Sequence, residues 1–266
     1  MYSYKNKIRY KDPAPEIFPE ETTGKCLNCN TRLQAAFCSH CGQSSNTQRL
    51  SFKYFLKNDL HKGFWFLNAK TFRVIVKVIV RPGYTAKTYI RGKRVPLNGL
   101  IALIIVFAGL FLLVLSAIEK KQSNYSTTTF PDNSWGHFQQ FVNDYTNWLI
   151  LLLIPFMALA SLLFFRRLRY NYSEHFYMNG IFFGGSMMIA LCFAGIYYLS
   201  LFLSLKIDLI GYAIVLYLLM AYIQVFAAYY SIAGFAWRFI AALLCFLVLV
   251  LAFIYFTIFI AASLNN

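Results

Sequence analysis

The sequence is short of charged residues, and acidic residues are the scarcest of them. Only 13% of its 266 residues are charged, and 25 Lys and Arg residues outnumber 10 Asp and Glu residues. Soluble domains carry about 25% charged residues, so the composition excludes a soluble globular protein for most of the chain. Residues 1–98 hold 18 of the 25 cations. The chain therefore consists of a basic, polar third followed by an apolar two-thirds.

Residues 1–98 also lack any long apolar run. We therefore expect no secretory signal peptide, and we expect this region to stay in the cytoplasm. Five apolar runs follow, each close to the length of about 20 residues that crosses a bilayer as a helix. They cover residues 99–118, 148–165, 176–203, 209–231 and 237–263. The sequence thus predicts an all-α polytopic membrane protein with five transmembrane helices. The alternative is four spans with one run re-entrant or interfacial.

The apolar runs lack charge at depth. No Asp, Glu, Lys, Arg or His lies in the middle of any of the five runs. Intramembrane charges mark ion paths and proton relays, so the sequence argues against an ion channel or an ion-coupled transporter. Cytoplasmic loops are rich in Lys and Arg, and the loop after the second run contains three arginines. This bias predicts that the N-terminus lies in the cytoplasm and the C-terminus outside.

Four of the six cysteines form two closely spaced pairs. They are Cys26, Cys29, Cys38 and Cys41, in the pattern C-x2-C-x8-C-x2-C. Two such pairs can bring four thiolates to one Zn²⁺ and fill its coordination shell. We therefore predict a structural, non-catalytic zinc ribbon over residues 25–46, with His40 outside the ligand set and with a positive φ at Gly42. A redox pair or disulfide and an iron–sulfur site are the alternatives.

The sequence predicts four regions. They are a polar tail (residues 1–24), the zinc ribbon (25–46), basic amphipathic helices in the membrane interface (47–98) and a transmembrane bundle (99–266). In the third region, aromatic and aliphatic residues recur at helical spacing with cations between them, as in helices that lie on a membrane. Pro82 ends this run because it cannot continue helical hydrogen bonding, and Gly83 is predicted to permit the turn. The cations predict attraction to anionic lipid headgroups, and nucleic acid is the weaker alternative.

Several motifs resemble those of a known group of bacterial proteins. They are the run 26–43, which ends in Cys-Gly-Gln, Arg-Pro-Gly at 81–83, Tyr-Ile-Arg-Gly-Lys-Arg at 89–94 and Tyr-Ser-Glu-His at 172–175. In order and spacing they are similar to the membrane proteins grouped as domain of unknown function 3667. The resemblance implies a zinc-ribbon protein of the bacterial inner membrane with several spans, and it implies no reaction. The family pattern has a second His soon after Glu-His, and this chain has none there, which argues against a paired-histidine site.

Glu174 and His175 open the third apolar run and are the candidate catalytic residues. Beside the arginines of the preceding loop, they can form an acid–base or ligand pair at the membrane surface. The alternative is a helix start at which Ser173 is the N-cap and Glu174 complements the helix dipole. Separate candidates for binding a lipid phosphate or a partner's carboxylate are the juxtamembrane cations Lys93, Arg94, Arg166, Arg167 and Arg169. Their alternative role is only to keep these loops in the cytoplasm.

These features predict a non-enzymatic scaffold, assembly or regulatory protein of the inner membrane. Its zinc ribbon and basic helices would dock a cytoplasmic or membrane protein partner or anionic lipid. A lipid-acting membrane enzyme or lipid transporter that uses Glu174 and His175 is the alternative. A regulator that senses zinc or redox state through the cysteines is a third hypothesis.

Overall fold

The structure, a computed structural model, describes residues 24–47, 49–54, 69–95, 100–123, 153–202 and 209–264. Within these ranges the regular elements are helices, and the extended pairings are two isolated antiparallel bridges near the cysteines. The all-α class that the sequence predicts is therefore confirmed in the described residues. The polar tail lies outside them, apart from Gly24.

Helices cover most of the described chain. We label them α1 (Ala69–Val80), α2 (Pro82–Ile90), α3 (Leu100–Ser123), α4 (Leu153–Phe164), α5 (Tyr172–Phe202), α6 (Ile210–Phe226) and α7 (Ile232–Leu264). A single helical turn at Phe52–Tyr54 follows the cysteine region, and 3₁₀ turns at Arg166–Leu168 and Ala227–Tyr229 follow α4 and α6. The last five helices lie on the five predicted apolar runs.

Within the described ranges, three helices are long and apolar enough to cross a membrane. They cover Tyr172–Tyr197, Ile210–Tyr229 and Ile232–Thr257, and shorter apolar helices cover Val106–Ile118 and Leu153–Phe164. The start of the second predicted run, residues 148–152, lies outside the described residues. The protein is thus an all-α membrane protein, and the crossings by α3 and α4 stay predictions.

Helix α5 is the centre of the bundle. Helices α1, α2, α3 and α6 pack against it, and 61% of its most apolar stretch is buried, against 11% for α7. One face of α5 carries the small residues Ser186, Ala190 and Ala194, all of which are buried. Small side chains at a four-residue interval let neighbouring helices approach closely. Helix α7 lies at the periphery.

Helices α1 and α2 pack along the bundle. The Tyr217 hydroxyl donates to the carbonyl of Val78 over 2.8 Å, and Val78 is completely buried. The opposite face of α1 exposes Arg73 and Lys77, so this helix is amphipathic, as predicted. The contact with Tyr217, in the middle of α6, shows that α1 is covered by protein at Val78, whereas Val76 and Val80 are exposed. The placement of α1 in the membrane interface stays a prediction.

Gly83 has a different role from the predicted one. Helix α1 ends at Val80 and α2 begins at Pro82, where the missing N–H of proline costs nothing. Gly83 lies inside α2 and donates its N–H to Gln224 Oε1 over 3.0 Å. A Cβ here would lie 2.5 Å from the Gln224 Cβ and 2.8 Å from the Ala221 carbonyl oxygen. The glycine is therefore required by the close approach of α2 to α6, and the predicted turn at Gly83 is wrong.

Candidate metal centre and its docking site

The four cysteines of the C-x2-C pairs come together. Their sulfur atoms all lie within 4.8 Å of one another. The Sγ atoms of Cys26 and Cys41 are 3.5 Å apart, as are those of Cys29 and Cys38. Four thiolates at the Zn–S distance of about 2.3 Å stand about 3.8 Å apart around a tetrahedral ion. The cluster can therefore hold one metal ion, whose identity as zinc stays a prediction.

The group of four cysteines, which we call the metal cluster, is built from two equivalent knuckles. In the first, the Asn30 N–H donates to the Cys26 carbonyl, and in the second the Gly42 N–H donates to the Cys38 carbonyl, both over 2.8 Å. Asn30 and Gly42 have φ angles of 62° and 73°. Gly and Asn are the residues that adopt this left-handed conformation most readily. The predicted positive φ at Gly42 is confirmed, and His40 is exposed and lies outside the cluster.

The thiols of the first knuckle differ in acidity. The Thr31 hydroxyl lies 3.3 Å from the Cys29 sulfur, and its hydrogen bond to the thiolate lowers the pKa of Cys29 to about 5. Burial raises the pKa of Cys26 to about 11. Cys29 therefore loses its proton more readily than Cys26. A bound cation would displace the remaining thiol protons, because thiolates are the metal ligands.

Gln43, directly after the second knuckle, fastens this region to the membrane-proximal chain. Its side chain is buried, and its Nε2 donates to the Gly92 carbonyl over 2.8 Å. The Arg94 N–H donates to Gln43 Oε1 over 3.1 Å. Arg94 is itself buried, with its guanidinium 5.9 Å from the centre of the Tyr89 ring, whereas Lys93 is exposed. We name this contact the glutamine junction.

Glu174 closes a capping box at the start of α5. The Glu174 N–H donates to Asn171 Oδ1 over 2.8 Å, and the Asn171 N–H donates to Glu174 Oε2 over 2.7 Å. Such reciprocal bonds satisfy two backbone donors that a helix start leaves open. Helix α5 begins at Tyr172, so Asn171 is the N-cap. The predicted capping role of Ser173 is wrong, while the predicted role of Glu174 at a helix start is confirmed.

The same carboxylate binds the cysteine region. Arg49 donates from Nε to Glu174 Oε1 over 2.7 Å and from Nη2 to Oε2 over 2.9 Å. Arg49 Nη2 also lies 2.9 Å from the Arg169 carbonyl oxygen, and Asn171 Nδ2 donates to the Leu50 carbonyl over 3.1 Å. Bidentate guanidinium–carboxylate pairs are strong and directional. We call residues 24–54 the head, and this contact the arginine junction.

His175 points to different partners from Glu174. It is buried, and its Nδ1 lies 2.8 Å from the Ser161 hydroxyl. Asn179 Nδ2 donates to the same hydroxyl over 2.9 Å, and the Tyr222 hydroxyl donates to Asn179 Oδ1 over 2.7 Å. In the described part of the chain, His175 Nε2 has no hydrogen-bond partner. The structure therefore places Glu174 toward the head and His175 inside the bundle among α4, α5 and α6.

The arginines after α4 separate into two groups. Arg166 and Arg167 line a pocket of about 520 Å³ at the end of the bundle that carries the head. Arg238, in the first turns of α7, lines the same pocket. Arg169 does not line it; its carbonyl accepts the bond from Arg49. Arg238 was not among the predicted binding residues, because nothing local relates it to Arg166 and Arg167, which lie 72 and 71 positions earlier.

No protein-family model, curated protein or solved structure matches this chain. The similarity to the family of domain of unknown function 3667 therefore stays a prediction based on motifs. The structure adds that two of these motifs contact each other: the last residue of Cys-Gly-Gln binds the Gly-Lys-Arg segment. The glutamate of Tyr-Ser-Glu-His binds Arg49, which follows the first motif in the head, and Gly83 of Arg-Pro-Gly contacts α6.

Proposed function

We propose that the protein is a non-enzymatic scaffold or regulatory protein of the bacterial inner membrane. Its zinc-bound head would engage a cytoplasmic partner while docked on the helix bundle. The observation that carries this proposal is the arginine junction, which holds the head in a fixed place through a bidentate ion pair. The glutamine junction adds a second point of attachment. A head fixed at two points presents a surface in a defined orientation to a partner.

An exposed aromatic residue supports this function. Phe37, next to the third cysteine of the cluster, is 60% exposed. Large aromatic side chains are enriched at protein interfaces, where they bury much area at little cost in conformational entropy. The metal cluster is closed by four sulfurs and leaves no position for a substrate. The head is thus suited to binding rather than to metal-assisted catalysis.

The surroundings of Glu174 and His175 also favour a scaffold over a lipid-acting enzyme. The Glu174 carboxylate already accepts hydrogen bonds from Arg49 and Asn171. His175 is enclosed by aromatic rings, with Phe226 stacked at 6.4 Å and Tyr170 edge-on at 5.8 Å. A general acid or base must come within hydrogen-bond reach of its substrate. Both side chains are buried and out of reach of a substrate. Roles in stabilising the fold therefore explain these two residues better than catalysis does.

The test is recovery of partner proteins with the full-length, tagged protein from native membranes. Replacing Cys26 and Cys29 by serine, or Phe37 by alanine, is expected to remove most of the partners that mass spectrometry identifies with the wild type. Membrane insertion should be unchanged. Cys192→Ser is the matched control, because this exposed cysteine lies outside the metal cluster. Equal recovery of the same partners by the cluster variant and the control would contradict the proposal.

A further inference from the structure

The chain between the head and α3 leaves one end of the bundle and returns to the same end. It leaves at the arginine junction, where Asn171 Nδ2 donates to the Leu50 carbonyl over 3.1 Å. It returns at the glutamine junction, where Gln43 Nε2 donates to the Gly92 carbonyl over 2.8 Å. Helices α1 and α2 lie between these two points. We call residues 69–92 the hairpin, and the end of the bundle at which the head docks the head end.

The middle of the hairpin lies far from the head end. The Tyr217 hydroxyl, which donates to the Val78 carbonyl, also lies against Gly185, where an added Cβ would overlap it. Gly185 is 13 residues beyond the start of α5 at Tyr172, which is a rise of about 20 Å along the helix. Val78 therefore lies beside the middle of α5 and α6, two helices that are long and apolar enough to cross a membrane.

Helix α2 runs from this depth back to the head end. Gly83, its second residue, donates its N–H to Gln224 of α6. Two turns later, the Tyr89 ring lies 5.3 Å from the ring of Tyr177, which is only five residues beyond the start of α5. Gly92 then meets the head at the glutamine junction. The hairpin thus enters the bundle to about half its length and comes out on the side from which it entered.

The break between α1 and α2 has its backbone groups satisfied by protein side chains. Gln224 Oε1 accepts the Gly83 N–H over 3.0 Å, and Gln224 Nε2 donates to the Val80 carbonyl over 3.4 Å. The Thr85 hydroxyl donates to the Arg81 carbonyl over 2.9 Å. Inside a bilayer, where water is absent, a helix break is tolerated only if the protein itself supplies such partners. The break therefore meets the requirement for a turn at membrane depth.

The outer face of the hairpin is apolar, with cations beside it. Val76 and Val80, one helical turn apart, are 44% and 56% exposed, and Tyr84 is 62% exposed. Lys77 and Arg81 are exposed as well. Long cationic side chains near lipid extend toward the headgroups while their apolar stems stay among the acyl chains. This combination fits a face that is covered by lipid.

We propose that the hairpin is re-entrant: it enters the bilayer from the head end, turns at Pro82 and presents its outer apolar face to lipid acyl chains. The placement predicted from the sequence is different, because it puts α1 and α2 flat in the membrane interface. The inference goes beyond the proposed function and does not depend on a partner of the head. It gives the Arg-Pro-Gly motif a role as the turning point, and Gln224 a role as the partner of that turn.

The test measures the depth of the hairpin in the full-length protein, reconstituted in vesicles of phosphatidylcholine and phosphatidylglycerol. A ketone-bearing amino acid replaces Val80 and carries a nitroxide label, so that the cysteines stay unchanged. Collisions of the nitroxide with oxygen, which enters lipid, and with a water-soluble nickel chelate report its depth. Two labels on α7 calibrate the scale. They replace Ile232, which is 92% exposed at the head end, and Leu244, which is 57% exposed and 12 residues further along.

The label at Val80 is expected at about the depth of Leu244, at least about 10 Å below Ile232, with frequent oxygen and rare nickel collisions. A depth less than about 5 Å below Ile232 would place the hairpin in the interface and overturn the proposal. Frequent nickel collisions would show water on this face, and rare collisions with both reagents would show protein, and either result would overturn it too. Tyr84 is the second labelling site, used if the Val80 variant folds poorly.

The role of Gln224 has its own test. Gln224→Leu removes both side-chain bonds to the break and is expected to speed amide hydrogen exchange at Gly83 about tenfold. Ile223→Leu is the matched control, because this neighbouring side chain is 45% exposed and its replacement leaves Gln224 in place. Equal exchange at Gly83 in the two variants would show that Gln224 does not hold the turn, and would contradict the role assigned to it.

Discussion

At the scale of single residues, Glu174 shows how one side chain serves two elements. Its carboxylate completes the capping box of α5 with Asn171 and pairs with Arg49 of the head. The two members of the ion pair differ in environment, since Glu174 is fully buried while the Arg49 side chain is 49% exposed. Removing the Arg49 side chain therefore leaves a buried carboxylate, whereas removing the Glu174 charge leaves a guanidinium that is half exposed to solvent. A buried carboxylate without its cation costs more than a guanidinium that can turn toward water.

This asymmetry predicts the order of two substitutions. Arg49→Ala is expected to destabilise the docked head by about 2–3 kcal/mol, because Glu174 keeps only its bond from Asn171. Glu174→Gln keeps an acceptor for that backbone donor and is expected to cost about 1 kcal/mol. Thermal unfolding of the purified protein in detergent, followed separately for the head by a fluorescent label, measures both. A larger loss for Glu174→Gln would contradict the assignment of the charge pair.

At the scale of elements, the sequence predicts those structural features that are determined by residues close together in the chain. The apolar runs, the helix break at Pro82 and the two cysteine knuckles all follow from spacing within about 30 residues. The junctions do not, because Arg49 and Glu174 are 125 residues apart and Gln43 and Gly92 are 49 apart. No local pattern brings such residues together. The N-cap was predicted wrongly because Ser and Asn are both good N-cap residues, so residue type does not separate Ser173 from Asn171. The reciprocal hydrogen bonds between Asn171 and Glu174 place the N-cap at Asn171.

The close packing of α2 on α6 predicts an unusual response to alanine. In an exposed helix, Gly→Ala stabilises by about 1 kcal/mol. Gly83→Ala is expected instead to destabilise by about 1–3 kcal/mol, because its Cβ would lie 2.8 Å from a backbone oxygen of α6 that cannot easily move. Gly109→Ala, in α3, is the matched control, since no atom of the described residues lies within 4 Å of a Cβ there. Comparing the melting temperatures of the two variants measures the difference, and a stabilised Gly83→Ala would show that the helices are further apart.

At the scale of the whole molecule, the metal cluster and the helix bundle are joined end to end. The second knuckle leads directly into Gln43, whose carbonyl accepts the Cys38 N–H while its side chain holds Gly92. Loss of the knuckle therefore removes the support of the glutamine junction. The bundle has its own buried core around α5, with Met178, Ile181 and Phe182 completely buried. We therefore expect the fold of the head, but not that of the bundle, to depend on a metal ion at the four cysteines.

Metal removal is accordingly expected to undock the head without unfolding the bundle. The head, residues 24–54, is too short to form an apolar core that folds alone. In zinc-finger peptides, zinc binding contributes about 10–16 kcal/mol to the free energy of folding. After chelation, amide hydrogen exchange should become faster over residues 24–47 and around Gly92, because both sides of the glutamine junction lose their partner. Exchange in the middle of α5 should stay slow, since its hydrogen bonds and packing do not involve the head. Unchanged protection at Gly92 in a fully demetallated protein would mean that the arginine junction alone holds the head in place.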